Sequence, residues 1–142
     1  MKPIVYIGID PGVNTGLAVW HTDIKQFTTV QSCNIIGAMD RIHVIKRNTQ
    51  CEIRIRIEDA RKRTFFGNNE TQVQEKRMGA GSVRRNSHIW EQFCQHYGYD
   101  FEMVHPRYNK TKLNAKQFQQ FTGWNHQTNQ HGRDAAMLVY GI

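Results

Sequence analysis

Pro3-Ile4-Val5-Tyr6-Ile7-Gly8-Ile9-Asp10-Pro11-Gly12 decides the fold. Its β-branched apolar run predicts a buried first strand, and Asp10-Pro11-Gly12 cannot continue a ladder and must turn. Ile4, Tyr6, Gly8 and Asp10 share one parity, so the strand ends on a carboxylate with the smallest residue two positions behind it. By itself an Asp before Pro-Gly is an ordinary turn residue, so its meaning depends on what the rest of the chain places beside it.

Working outward, Thr15 to His21 and Lys25 to Gln31 follow at hairpin distance and predict an antiparallel meander of three strands. Ile35, Ala38, Met39, Ile42 and Ile45 recur at spacings of three and four, which predicts a helix with one apolar face. Glu52-Ile53-Arg54-Ile55-Arg56-Ile57-Glu58 alternates strictly, so a fourth strand carries three Ile residues on one face and Glu58 with two Arg residues on the other. From Asp59 to about Gly81 no period is sustained, and a functional loop is expected there. Helical spacing of Val83, Trp90, Phe93 and Tyr97 follows, with core the favoured reading of the three aromatics. Asp100 to Val104 supplies a fifth strand, a short helix covers Ala115 to Phe121, and a last helix runs from an Asn129 cap to Tyr140. The order βββαβαβ gives an α/β domain spanning residues 1–142, with a mixed five-stranded sheet flanked by helices.

The chain has 142 residues, with 19 Lys plus Arg against 12 Asp plus Glu, a formal net charge of +7. At 39% hydrophobic and 11% aromatic it is too apolar for a disordered tail. No run approaches the roughly 20 apolar residues of a membrane span, and Asp10 arrives before a signal-peptide core develops, so an intracellular chain without a membrane partner is expected. Cys33, Cys51 and Cys94 are odd in number and widely spaced, and read as small apolar residues in a reducing compartment. The positive charge concentrates in residues 54–90, with Arg61, Lys62, Arg63, Arg84 and Arg85 among them, and in 105–116, with Lys110, Lys112 and Lys116 and no acid. Fields of one sign favour a polyanion, and nucleic acid is the expected partner.

Glu58, like Asp10, ends a strand on its polar face, and a right-handed crossover through the intervening helix would set the two strands side by side. His131-Gly132-Arg133-Asp134 opens the last helix, where His131 and Asp134 lie three apart on one face and Ala135 and Ala136 allow close packing on a sheet. Asp10, Glu58, His131 and Asp134 then combine hard oxygen donors with an imidazole, a set suited to Mg²⁺ or Mn²⁺. Arg133 has two readings of equal weight, phosphate contact or pairing with an acid.

Gly8-Ile9-Asp10-Pro11-Gly12-Val13-Asn14-Thr15-Gly16, Ile57-Glu58, the Gly79-Ala80-Gly81-Ser82-Val83 helix entry and the terminal His131-Gly132-Arg133-Asp134-Ala135-Ala136 resemble the RuvC family of Holliday junction resolvases. The resemblance spans nearly the whole chain and implies a ribonuclease H-like fold. It further implies a homodimer that makes paired, symmetric nicks in four-way DNA junctions with two divalent ions per site, leaving 5′-phosphate and 3′-hydroxyl ends. Asp10, Glu58 and Asp134 match the family's metal-binding carboxylates, and His131 matches a position that is Asp in some members and His in others. Lys110, Lys112 and Lys116 match its basic segment before the last helix and are candidates for contact with the scissile phosphate. Phe65-Phe66, after Arg61-Lys62-Arg63, reads either as a wedge into the junction or, in one ring, as core. Asp59 ranks below Glu58 because it would point to the opposite face.

The short chain would suit a phage-encoded or minimal resolvase, placed in the host cytoplasm if from a phage and in the cytoplasm if bacterial. Competing readings are a broader nuclease on flaps, branched DNA or RNA/DNA hybrids, and a junction-binding protein that does not cut. An actin-like ATPase would need a second nucleotide-binding lobe, so no nucleotide cofactor is expected.

Overall fold

A computed structural model describes residues 2–62, 70–106 and 112–142. Five strands, β1 (Ile4–Asp10), β2 (Thr15–His21), β3 (Gln26–Cys33), β4 (Glu52–Glu58) and β5 (Asp100–Val104), form one sheet in the order β3-β2-β1-β4-β5. β1, β2 and β3 pair antiparallel, whereas β4 lies parallel to β1 and β5 parallel to β4. This is the mixed sheet the alternation and turn residues predict. The β1–β4 register pairs Gly8 with Arg56 and Ile9 with Ile57, so the carboxylate ends of both strands lie together.

Alternation divides the core into two layers. On one face Val5, Ile7, Ile9, Ile53, Ile55 and Ile57 pack against Ala38 and Ile42 of α1 (Ile35–Asn48) and against Trp90, Phe93 and Cys94 of α2 (Glu70–Tyr97). Each fully buried Ile there contributes roughly 1.5–3 kcal/mol. Cys94 behaves as the small apolar residue expected, and burial pushes its thiol up to about 12. On the other face Ala18, Trp20, Phe27, Val30 and Val104 meet Phe118 of α3 (Ala115–Thr122) and Ala135, Ala136, Leu138 and Val139 at α4 (Gln130–Met137).

The helix ends follow their sequence signals. Asn34 accepts a hydrogen bond from the Gly37 amide to start α1, and Asn114 and Gln117 form a reciprocal capping box at α3. Gly123, at φ 80°, closes α3 in a left-handed conformation that glycine adopts without strain.

Three expectations need correction. α2 begins at Glu70, so about half of the anticipated loop is helical and the Gly79-to-Val83 stretch lies inside the helix, not at its entry. Residues 70–78 are mostly good helix formers with few apolar side chains, so propensity builds the helix without an apolar period to announce it. α4 ends at Met137 and continues only as turns to Gly141. Trp90 and Phe93 are core, but Tyr97 is exposed at the end of α2. Among the described residues, no helix is long and apolar enough to cross a membrane.

Candidate active site

The site is built where α4 sits on the ends of β1, β2 and β3. Asn129 caps α4 by accepting from the Gly132 amide, and its Nδ2 donates to Ser32 Oγ at the end of β3. The helix then approaches the sheet backbone to backbone. A Cβ on Gly16 would stand 1.9 Å from the His131 carbonyl oxygen, and one on Gly8 would stand 2.1 Å from that of Ala135. Only hydrogen fits at either position. These two glycines, with Ala135 and Ala136, let the first turns of α4 overhang the strand ends.

That overhang brings His131 Nδ1 to 3.6 Å from Asp10 Oδ2 and buries Asp134 beneath the helix start. Asp134 Oδ1 accepts from Gln130 Nε2 at 2.6 Å, and Oδ2 accepts from Lys112 Nζ at 3.1 Å. Arg133, 9% exposed, turns the other way, and its guanidinium donates to the Leu113 and Thr128 carbonyls, to Thr128 Oγ1 and to Gln130 Oε1. It thus ties the backbone next to Lys112 to α4, in place of the phosphate or acid partner expected from sequence.

The β4 side is held by charge. Asp59 is buried, its amide donates to the Val104 carbonyl, and its carboxylate is gripped by Arg61 through Nε at 2.8 Å and Nη2 at 2.9 Å. The same guanidinium reaches Glu91 of α2 at 3.0 and 3.2 Å, so the exit of β4 is clamped to the helix. Burial raises the Asp59 pKa, but hydrogen bonds and charge from Arg61, with Lys62 nearby, outweigh it and hold the carboxyl below its ordinary range. These bonds in turn raise the Arg61 guanidinium further. Ser87 Oγ, at 3.5 Å from the Glu58 carbonyl and 3.3 Å from the Ala60 amide, completes the joint beside Glu58, itself 8% exposed.

The expected DNA-contact residues separate into groups. Arg61 is engaged internally, and Lys62 donates to the Met103 carbonyl at 2.9 Å. Arg84, Arg85 and Lys116 lie on the surface. Lys112 faces Asp134, while Arg63, Phe65, Phe66 and Lys110 lie outside the described residues. Arg54 and Arg56 pair across the sheet with Asp100 and Glu102, so that part of the sequence's basic excess is locally neutralised. Sequence reasoning missed the Asp59–Arg61–Glu91 clamp, whose only local signal is the Asp59-x-Arg61 spacing, since Glu91 lies 30 positions away.

The donor chemistry of Asp10, Glu58 and Asp134 fits a hard divalent ion. As the side chains stand, no three His, Cys, Asp or Glu among the described residues are gathered as a ready cation site; the Lys112 ammonium faces Asp134 and the His131 ring faces Asp10 instead.

No family model and no curated protein matches the chain. Among solved structures, T. thermophilus RuvC in complex with a Holliday junction substrate shares the fold with a TM-score of 0.58 and 18% identity, covering 95% of this chain and 89% of that chain. The fold is ribonuclease H-like. Its layers and strand order are therefore those the sequence resemblance implies, and at this identity the likeness is one of architecture.

Proposed function

We propose that the chain is a metal-dependent endonuclease that resolves four-way DNA junctions by paired, symmetric nicks, leaving 5′-phosphate and 3′-hydroxyl ends, and that it acts as a homodimer. The observation that supports this best is the parallel pairing of β1 and β4, which sets Asp10 and Glu58 at neighbouring strand ends, with His131 of α4 3.6 Å from Asp10. The fold it occurs in is shared with RuvC, a protein solved in complex with a Holliday junction substrate.

Asp10, Glu58 and Asp134 would hold Mg²⁺, or Mn²⁺ in its place, with His131 as a further ligand. Two such ions held by these residues would supply a lowered pKa for an attacking water and charge stabilisation on the leaving oxygen. The chain's own contribution is position and field. The Gly8 and Gly16 contacts fix His131 and Asp134 over the strand ends, and the Arg61 clamp fixes the backbone that carries Glu58. His131 is half exposed beside Asp10, placed to meet a phosphate arriving from solvent. Arg84, Arg85 and Lys116 add positive potential that steers a polyanion without reading its sequence.

The test is cleavage of a labelled four-way junction with Mg²⁺, beside linear duplex, a flap and an RNA/DNA hybrid. Paired nicks in the junction alone support the proposal. Asp10→Asn should reduce cleavage by about 10³-fold or more while junction binding persists, since a ligand to the catalytic ion is lost but no binding contact is. Equal cutting of flap or hybrid would assign a broader nuclease, and binding without cutting would assign a junction-binding protein.

A further inference from the structure

We infer that Lys112 is a detachable counter-ion of Asp134, occupying its carboxylate in the metal-free chain, and that a divalent cation binds by displacing it. This rests on the metal-dependent reading above.

Asp134 is a carboxylate with 6% of its side chain exposed, and a buried charge needs a partner of opposite sign. Lys112 Nζ meets that need at 3.1 Å from Oδ2, and Gln130 Nε2 takes Oδ1, so both oxygens are engaged by donors of the chain. The two ends of the pair differ in exposure. Asp134 is fixed in the first turns of α4, whereas the Lys112 side chain is 64% exposed on a flexible four-carbon stem. Arg133 donates to the Leu113 carbonyl, which keeps the lysine backbone beside the site while leaving the ammonium free to swing into water. An ammonium and a divalent cation at the same carboxylate repel each other, so the bound ammonium opposes cation binding. The chain therefore stabilises its own acidic site by a group that leaves when the metal arrives, and the freed ammonium stays within reach of a phosphate bound there.

The experiment measures Mn²⁺ dissociation constants on the DNA-free protein, by paramagnetic resonance of free Mn²⁺, for wild type, Lys112→Met, Lys112→Arg and Asp134→Asn. Thermal midpoints are read with and without Mn²⁺. Lys112→Met should bind Mn²⁺ about tenfold more tightly, ~1.4 kcal/mol, melt lower than wild type without metal, and gain more from its addition. Lys112→Arg should stay near wild type, because it keeps the competing charge. Unchanged or weaker Mn²⁺ binding by Lys112→Met, with wild-type binding intact and lost in Asp134→Asn, overturns the inference and leaves the metal-site reading standing. No Mn²⁺ binding by either wild type or Lys112→Met overturns both.

Discussion

The two sides of the site are fastened by different physics. On the α4 side, backbone meets backbone where Gly8 and Gly16 leave room, and the atoms in closest contact are uncharged carbonyl oxygens. On the β4 side, one guanidinium bridges Asp59 and Glu91, and the joint is made almost wholly of charge. A steric joint is indifferent to pH and salt but does not accept one added carbon. An ionic joint accepts changes of shape and fails when a proton or a charge is removed.

The largest expected effect comes from adding that carbon. Gly16→Ala would put its Cβ 1.9 Å from the His131 carbonyl oxygen, a backbone atom that cannot move without lifting α4. The cost should exceed the ~1–3 kcal/mol typical of overpacking, and Gly8→Ala should behave alike at 2.1 Å from the Ala135 oxygen. Urea denaturation and cleavage should fall together. A Gly16→Ala protein of wild-type stability would break the contrast at once.

Arg61→Met tests the other joint. Losing one partner of a buried pair costs ~3–5 kcal/mol, and with the Arg61 side chain 30% exposed a loss of about 2 kcal/mol is expected. Its pH dependence carries the signature of charge. The Asp59 carboxyl lies below its ordinary range in the folded chain, so its stabilisation is fully present above the unfolded value of about 4 and is lost as pH falls through the folded one. The stability gap between wild type and Arg61→Met should therefore be widest near neutral pH and narrow as the pH is lowered below about 4. Urea midpoints at a series of pH values measure it, and a gap that stays constant would remove Asp59 from the joint.

Much of this contrast was only half legible in the sequence. Strict alternation in Glu52–Glu58 and the break at Asp10-Pro11-Gly12 gave the sheet and brought the two carboxylate strand ends together. The small residues Ala135 and Ala136 signalled close packing because lack of bulk is visible in a single residue, whereas Gly8 and Gly16 show their role only once α4 lies against them. The clamp was not visible in the same way, since its partners Arg61 and Glu91 are brought together by the fold. Arg61 therefore reads in sequence as one more positive charge in a basic run, and Arg133 as a site-flanking cation, whereas the structure commits both to internal acceptors. The first half of α2 was missed because helix propensity without an apolar period leaves no pattern to count.

The smallest expected effect sharpens the same distinction between committed and surface charge. Each phosphate contact releases counterions, so losing one should lower the slope of log K against log salt by about 0.9 on duplex DNA. Arg85 and Lys116 lie on the surface, and their replacement by Ala should each weaken junction binding modestly and reduce the slope by about one unit. Arg61→Met removes an equal charge from the same basic region, but that charge already serves Asp59 and Glu91. Its slope should match wild type under conditions where the variant remains folded. Binding titrations from low to moderate salt compare the three variants directly. A full unit lost with Arg61→Met would mean that the guanidinium leaves its carboxylates for DNA, making the β4 joint a part of substrate binding instead of a fixed support for Glu58.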